Sequence, residues 1–261
     1  MIINLYRHRR YILTTAWADL RTRYAGSVMG VVWNVAQPLA LILTFSIVFS
    51  TIMKGERGIG AAKVPFPLYL CSGLLPWLAF SECVSQGTAS FVANAPYLRK
   101  LPIPEQVFIA QTALSSTFTI LISFTILIIV SIFFGHYPTP VWILLPVPLL
   151  LFLGLGFGIA MGLSSINVFI RDVGQMVPIV LQIGFWAYPI CYSAEWLPDP
   201  FGTLIKFNPA YPYIESVRAI FLLDAMPSLQ NVGLMFAWTF VACTSGYLVM
   251  RRLRPELRDV L

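Results

Sequence analysis

Few side chains in this sequence are placed where they could catalyse a reaction or bind a metal. Glu82 is the only acidic residue well inside a long apolar stretch. A carboxyl group there is a candidate for function, and a neutral, hydrogen-bonded glutamate is the alternative. The two histidines and the four cysteines show no CxxC motif and no metal-ligand spacing. We therefore predict that the chain is not an enzyme and holds no metal or cofactor.

One glycine-rich segment comes close to a phosphate-binding loop. In Gly55-Glu-Arg-Gly-Ile-Gly-Ala-Ala-Lys63, the glycines at 55 and 60 have the Walker A spacing. However, Ala61 occupies the lysine position, and no strand precedes the segment. We interpret it as a flexible loop outside the cell and predict that this chain binds no nucleotide.

The scarcity of buried charge limits how the protein could perform work. Ion-coupled transporters need buried ionisable groups that carry the coupling charge. Glu82 is a single carboxyl group, which is little for carrying the coupling charge of an ion-driven transporter. If the protein transports uphill, we expect the energy to come from outside the chain.

A row of small residues lies in the fourth of the long apolar stretches. Gly154, Gly158 and Gly162 form two consecutive GxxxG steps, a spacing that lets two helix backbones approach closely. The row is either a seam that moves or dimerises, or a site of packing within the subunit.

The composition determines which elements must position these residues. The chain has 261 residues, 58% of them hydrophobic and 11% charged, whereas soluble domains carry about 25% charged residues. Six stretches are long enough, or nearly so, to cross a hydrocarbon core about 30 Å thick; they are 29–53, 66–92, 107–134, 141–169, 174–193 and 231–250. The pattern predicts an all-α membrane protein with six transmembrane helices.

The basic residues predict the orientation. With both termini inside, the cytoplasmic connections hold 12 of the 17 Lys and Arg residues and the outer connections hold five. This asymmetry favours cytoplasmic N and C termini. The net charge of +6 then lies beside span ends, where anionic lipid headgroups are the ordinary partner, so we expect no nucleic acid partner.

Two segments outside the spans have a helical pattern. Within residues 10–24, Leu13, Trp17, Leu20 and Tyr24 recur at helical spacing, which predicts an amphipathic helix in the membrane surface; a basic topogenic leader is the alternative. Within 194–230, an apolar stripe, with Glu215 and Arg218 interpreted as lying off it, predicts short re-entrant helices packed against protein. The stripe consists of Ile214, Val217, Ile220 and Phe221.

Three motifs resemble signatures of the ABC-2 permease family, specifically its polysaccharide exporters for O-antigen, teichoic acid and capsule. They are Asp19-Leu-Arg-Thr-Arg-Tyr-Ala-Gly-Ser-Val-Met-Gly30 leading into Trp33-Asn-Val-Ala-Gln-Pro38, then Asn167-Val-Phe-Ile-Arg-Asp-Val173, and Asn208-Pro-Ala-Tyr-Pro-Tyr-Ile-Glu-Ser-Val-Arg218. They occur in the expected order over nearly the whole chain. The second is closer to the O-antigen and teichoic acid branch than to group 2 capsule permeases.

The resemblance implies a homodimer in the bacterial inner membrane, joined to two copies of a cytoplasmic subunit that binds ATP and Mg. It divides the chain into a cytoplasmic N-terminus with an interface helix (1–28), a six-span domain (29–250) and a cytoplasmic tail (251–261). It also assigns roles by position. The coupling segment that docks on the ATPase would include Leu98, Arg99, Lys100, Pro102 and Glu105. Arg171 and Asp172 would lie near the cytoplasmic gate.

The same resemblance implies a channel between the two protomers. Its lining would include Trp33, Phe45, Phe49, Phe185, Trp186 and Tyr188, whose aromatic faces can stack on sugar rings. On the interface helix, Arg21, Arg23 and Tyr24 would meet the pyrophosphate of the lipid-linked substrate. The expected function is export of undecaprenyl-linked polysaccharide, O-antigen first, with teichoic acid or capsule as alternatives. An exporter of small amphiphiles and a membrane glycosyl- or acyltransferase are the competing hypotheses.

Overall fold

The structure is a computed structural model, and it describes residues 8–23, 32–52, 65–100, 104–192, 198 and 200–260. Within those ranges, the side chains of 19–23, 34, 46, 49–52, 99–100, 203–204 and 258–260 lie outside the description. The glycine-rich loop 55–63, Tyr24 and Pro102 are also outside the described residues, so the predictions made for them stay predictions.

The described residues form helices joined by short connections, and no strand occurs among them. In chain order the α-helices are α1 (Arg9–Arg23), α2 (Trp33–Ile52), α3 (Phe66–Ala93), α4 (Ala95–Lys100), α5 (Gln106–Phe133), α6 (Pro146–Phe169), α7 (Asp172–Ala187), α8 (Phe201–Leu204), α9 (Tyr211–Leu222) and α10 (Leu229–Val260). Single 3-10 turns at Pro140–Leu144 and Ile205–Phe207 precede α6 and follow α8.

Four helical segments in the described part of the chain are long and apolar enough to cross a membrane. They are Phe66–Ala93, Gln106–Phe133, Pro140–Phe169 and Leu229–Leu257. Helix α2 has 20 residues and α7 has 16. At 1.5 Å per residue α7 is about 24 Å long, which is shorter than the hydrocarbon core. The structure is thus that of a helical protein with four candidate membrane spans.

The C-terminal ends of two helices lie well away from the predicted boundaries. Helix α7 stops at Ala187, six residues before the predicted end, because Tyr188 is extended (φ −94°, ψ 146°) and precedes Pro189. The ring of a proline disfavours helical geometry in the preceding residue. Helix α10 continues to Val260, ten residues beyond the predicted span.

Helix α3 is the centre of the bundle and is buried along most of its length. It packs against α2, α5, α6, α7 and α9. Stacked aromatic rings connect three of these helices: the centroids of Phe80 and Phe152 are 4.3 Å apart, and those of Phe152 and Tyr213 are 5.0 Å apart. Helices α3, α6 and α9 are therefore held together by packed aromatic side chains.

The glycine row of the fourth stretch packs within the subunit, against α10. A Cβ atom on Gly158 would lie 2.5 Å from the backbone carbonyl carbon of Ala242, and one on Gly154 would lie 3.0 Å from Thr239. Gly246 faces this row from α10, where an added Cβ would overlap the carbonyl oxygen of Gly158. Of the two interpretations of the row, the structure supports packing within the subunit.

Helix α1 packs against α5 through its small and apolar residues. Ile12 and Ala16 are buried, and the Ser115 hydroxyl donates to the carbonyl of Ala16 at 3.3 Å. Leu13 and Trp17, from the predicted apolar stripe, are instead 51% and 63% exposed. Leu13 and Trp17 therefore lie on the outer surface of the bundle, and the Trp17 ring contacts that of Phe118 on α5, with centroids 5.7 Å apart.

Candidate functional site

Aromatic side chains from two helices meet beside α3 and line an open cavity of about 410 Å³. The ring centroid of Phe45 on α2 is 5.9 Å from that of Phe185 and 6.3 Å from that of Trp186, both on α7. We call this cavity the aromatic groove; its lining is Leu41, Phe45, Leu74, Trp77, Leu78, Ser81, Glu82, Ser85, Pro178, Leu181, Gln182, Phe185 and Trp186. Three of the six predicted channel residues thus share one surface.

The groove also contains a short polar strip. Ser81, Glu82 and Ser85 enter it from α3, and Gln182 enters it from α7. Glu82 is half-buried and lines the wall of this cavity. A wall that combines aromatic rings with hydrogen-bonding groups can contact both the apolar faces and the hydroxyls of a sugar.

The other predicted channel residues lie elsewhere. Tyr188 stacks against Trp77 with ring centroids 4.5 Å apart and lines a second cavity, of about 460 Å³, between α3, α6 and α7. Trp33 stands at the first residue of α2, is 46% exposed, and is not among the residues that line either cavity. Phe49 is on α2, and its side chain lies outside the description.

At the opposite end of α3 from Phe66, the predicted coupling segment is anchored to the bundle. Leu98 on α4 is 1% exposed. It belongs to a buried apolar cluster, which we call the junction cluster, made of Phe91, Leu98, Phe108, Ile109, Ala160, Met161, Val168, Met250 and Leu257. Arg99 and Lys100 occupy the last turn of α4, with side chains outside the description.

Glu105, at the end of the coupling segment, forms an ion pair with the last helix. Its side chain is buried, and Oε2 lies 3.0 Å from Nε of Arg254, whose side chain is 53% exposed. Glu105 immediately precedes α5, where the helix dipole also favours a negative charge. Arg254 was not among the predicted site residues.

The predicted gate residues lie at the connection between α6 and α7, at the same end of the bundle. Arg171 and Asp172 are both exposed, and Asp172 begins α7. The neighbouring Asn167 makes the contacts to protein: its amide donates to the Thr88 carbonyl at 3.2 Å, and its oxygen accepts from the Gly174 backbone N–H at 2.7 Å. Asn167 therefore ties α3, α6 and α7 together beneath the predicted gate.

Arg218 has the most unusual environment at the other end of the bundle. It is only 3% exposed, its Nη2 donates to the Ile190 carbonyl at 2.9 Å, and its guanidinium lies 3.8 Å from the centroid of the Tyr69 ring. The Tyr69 hydroxyl donates to the Tyr192 carbonyl at 2.6 Å. Arg218 thus joins α9 to the start of α3 and to the segment that follows α7.

The burial of Arg218 corrects the prediction that this residue lies off the apolar stripe. It stands four residues after Ile214, so it falls on the same helix face as Ile214, Val217 and Phe221. All three of those residues are buried. The spacing was sufficient to place the arginine on this face, whereas its charge had suggested an exposed position.

Within the described ranges, no three His, Cys, Asp or Glu residues are grouped as a metal site would require. The four cysteines, all of which are described, are free. His136 donates from Nε2 to the Phe221 carbonyl, 2.6 Å away, which holds the connection before α6 against α9. Arg21 and Arg23 are on α1, with side chains outside the description.

A bundle of long apolar helices beside an open groove is compatible with a membrane transport protein, and the family comparison identifies the class. Residues 10–222 match the family described as ABC-2 type transporter. Because the match covers well over half of the chain, the protein belongs to the ABC-2 type transporter family, which places it in the membrane as a multi-pass transport subunit.

Individual relatives extend the similarity over nearly the full length. The O-antigen export system permease protein RfbA of Klebsiella pneumoniae is 25% identical over 93% of this chain and 92% of its own. RfbA of Myxococcus xanthus is 24% identical over 99% of this chain and 98% of its own. The polysialic acid transport protein KpsM of Escherichia coli is 20% identical over 91% of each chain.

Proposed function

We propose that this protein is the permease subunit of an ABC transporter that exports an undecaprenyl-linked polysaccharide, of the O-antigen class, across the bacterial inner membrane. The observation that carries the proposal is the similarity to O-antigen export permeases along nearly the whole chain. The match to a polysialic acid transport protein is lower, so capsule export is the less favoured assignment. Teichoic acid export differs only in the glycan carried.

The proposed complex is a homodimer with two cytoplasmic ATP-binding subunits. Support for a second copy comes from exposed apolar side chains on both sides of the aromatic groove: Leu43 and Ile47 on α2 are 61% and 65% exposed, and Ile183 on α7 is 65% exposed. In this arrangement the second protomer faces these helices and encloses the groove. The ATPase subunit supplies the nucleotide chemistry.

The proposed topology has six spans and cytoplasmic N and C termini. Four of the spans are the longer helices. The fifth is helix α2, and the sixth is helix α7 together with the segment that follows it. Helix α1 lies in the cytoplasmic membrane surface, where its exposed Leu13 and Trp17 reach into the headgroup region. Helices α8 and α9 are the re-entrant helices, and they are compatible with membrane depth because α9 is packed against protein.

In the proposed mechanism, the lipid-linked glycan enters from the cytoplasmic leaflet beside α1. Its pyrophosphate meets Arg21 or Arg23, since guanidinium groups bind phosphate oxygens in pairs. ATP binding and hydrolysis in the partner move the coupling segment 98–105, and the polymer advances between the protomers along the aromatic groove. Stacking on the rings of Phe185 and Trp186 in an open groove, without an enclosing pocket, suits a moving polymer.

Deleting the gene is expected to block export and to leave undecaprenyl-linked glycan in the cytoplasm. Fractionation and lipid extraction of the deletion strain, with and without a plasmid copy, measure this directly. An exporter of small amphiphiles predicts instead that hydrophobic compounds stimulate the ATPase. A glycosyl- or acyltransferase predicts loss of the finished glycan without accumulation and does not need an ATPase gene nearby. Either of these results contradicts the proposal.

Replacing Arg99 and Lys100 together by alanine is expected to lower export several-fold while the subunit is still made and inserted. These residues end α4, which the proposal places against the ATPase. Export is measured as surface glycan, and expression by immunoblot of membranes. Replacing the exposed Arg251 and Arg252 serves as the control for a general loss of positive charge on the cytoplasmic side. Undiminished export after replacement of all of 98–105 contradicts the coupling assignment.

A further inference from the structure

The last three turns of α10 have a buried face. The helix has 32 residues, about 48 Å at 1.5 Å per residue, so it extends well beyond a hydrocarbon core of about 30 Å. Met250 and Leu257 are 2% and 0% exposed, whereas Arg251 and Arg252 are exposed. Met250, Arg254 and Leu257 are spaced four and three residues apart and therefore lie on one side of the helix.

That side of α10 contacts the segment that the proposed function assigns to ATPase coupling. Leu257 and Met250 share the junction cluster with Leu98 of α4. Between them, Arg254 reaches the buried carboxylate of Glu105, with Nε 3.0 Å from Oε2. Glu105 is thus held to α10 directly by a charge pair, and Leu98 belongs to the apolar cluster into which the same face of α10 packs.

We infer that the C-terminal turns of α10 are a brace for the coupling segment, and that Arg254 is a positioning residue for transport. The inference rests on the proposed function, since the role of residues 98–105 belongs to it. A six-residue helix is not stable in isolation, so α4 takes its position from the residues it packs against. Through Leu98 and Glu105, a displacement imposed on α4 reaches α10 as well as α3 and α5.

The pair is suited to this task because its two sides differ in exposure. Glu105 is fully buried, and a buried carboxylate that loses its partner is strongly unfavourable. Arg254 is half exposed, so it can be changed without opening the core. Variants of Arg254 therefore disturb the Glu105 end of the coupling segment through the charge pair, while the apolar side chains of the core stay in place.

The test compares Arg254→Glu with wild type in the complete permease–ATPase complex, reconstituted in vesicles that contain lipid-linked glycan. We expect glycan moved per ATP hydrolysed to fall about tenfold, corresponding to 1.4 kcal/mol, because two carboxylates then face each other. Bound ATPase subunit and basal ATP hydrolysis should be unchanged. Arg254→Lys keeps the charge and should restore most of the ratio. Arg252→Glu, on the same helix but outside the pair, is the matched control.

A double-mutant cycle adds a readout that general damage to the fold does not produce. If Arg254 acts through Glu105, the double variant Arg254→Gln with Glu105→Gln loses no more coupling than the more severe of the two single variants. A wild-type ratio in Arg254→Glu, or an equal loss in Arg252→Glu, overturns the brace. If export also survives replacement of all of 98–105, the coupling assignment fails with it; if that replacement abolishes export, only the brace fails.

Discussion

Replacing Gly246 by alanine is expected to destabilise the subunit by about 3 kcal/mol or more, although it adds a single methyl group. The new Cβ would overlap the Gly158 carbonyl oxygen and would lie 3.2 Å from the Gly162 backbone nitrogen. Both of these are backbone atoms, so no side-chain rotation can relieve the overlap. Overpacking usually costs about 1–3 kcal/mol, and a rigid backbone neighbour places this substitution at the upper end.

The same helix supplies the control for this variant. A Cβ on Gly233 would meet nothing within 4 Å, so Gly233→Ala should be neutral or stabilising by up to about 1 kcal/mol through helix propensity. The measurement is the thermal unfolding midpoint in detergent, together with the yield of monodisperse protein. Equal midpoints for the two alanine variants would show that α6 and α10 are not in backbone contact.

Replacing Arg218 by methionine is expected to destabilise the end of the bundle that holds α9 by about 3 kcal/mol. The substitution keeps much of the side-chain volume but removes the donor to Ile190, which is fully buried. An unsatisfied buried carbonyl costs about 1–3 kcal/mol. The lost contact with the Tyr69 ring adds about 1–2 kcal/mol, because the cation is desolvated there.

Lysine should not rescue this site, since an ammonium group cannot both lie flat on Tyr69 and reach Ile190. Lys206→Met removes an exposed positive charge from the same segment of the chain and should leave the unfolding midpoint unchanged. Gly73→Ala would disturb the contact between Arg218 and Ile190 from α3, because the new Cβ would lie 3.0 Å from Nη2 of Arg218. If Arg218→Met unfolds at the wild-type temperature, the arginine does not hold α9 to α3.

The presence of the long helices and their approximate positions could be predicted from the sequence, because long apolar stretches dominate it. The boundaries were less accessible. Helix α7 ends early at a local backbone conformation before Pro189, and α10 continues because its last turns find a buried surface that depends on distant residues. The six-span count stays a prediction, with four spans supported by length and hydropathy.

The site could be predicted only in part, because residue type does not specify a partner. Phe45, Phe185 and Trp186 were predicted to line a channel; the structure brings them to one surface, and their place in a channel stays a prediction. Arg218 and Arg254 were missed as site residues, since each was counted as a basic residue of a connection. Their roles depend on Ile190, Tyr69 and Glu105, which are far away in the chain and leave no pattern in the local sequence.

The contact between the backbones of α6 and α10 has a consequence for how a path through the protein could open. Two helices whose glycines touch carbonyl groups cannot slide or rotate against each other without steric overlap. We therefore expect α6 and α10 to move as one rigid unit. Rearrangement is left to elements with loosely covered surfaces, and α2 and α7 have the exposed faces that this requires. Any widening of the aromatic groove should therefore be a movement of α2 and α7 relative to a fixed frame of α6 and α10.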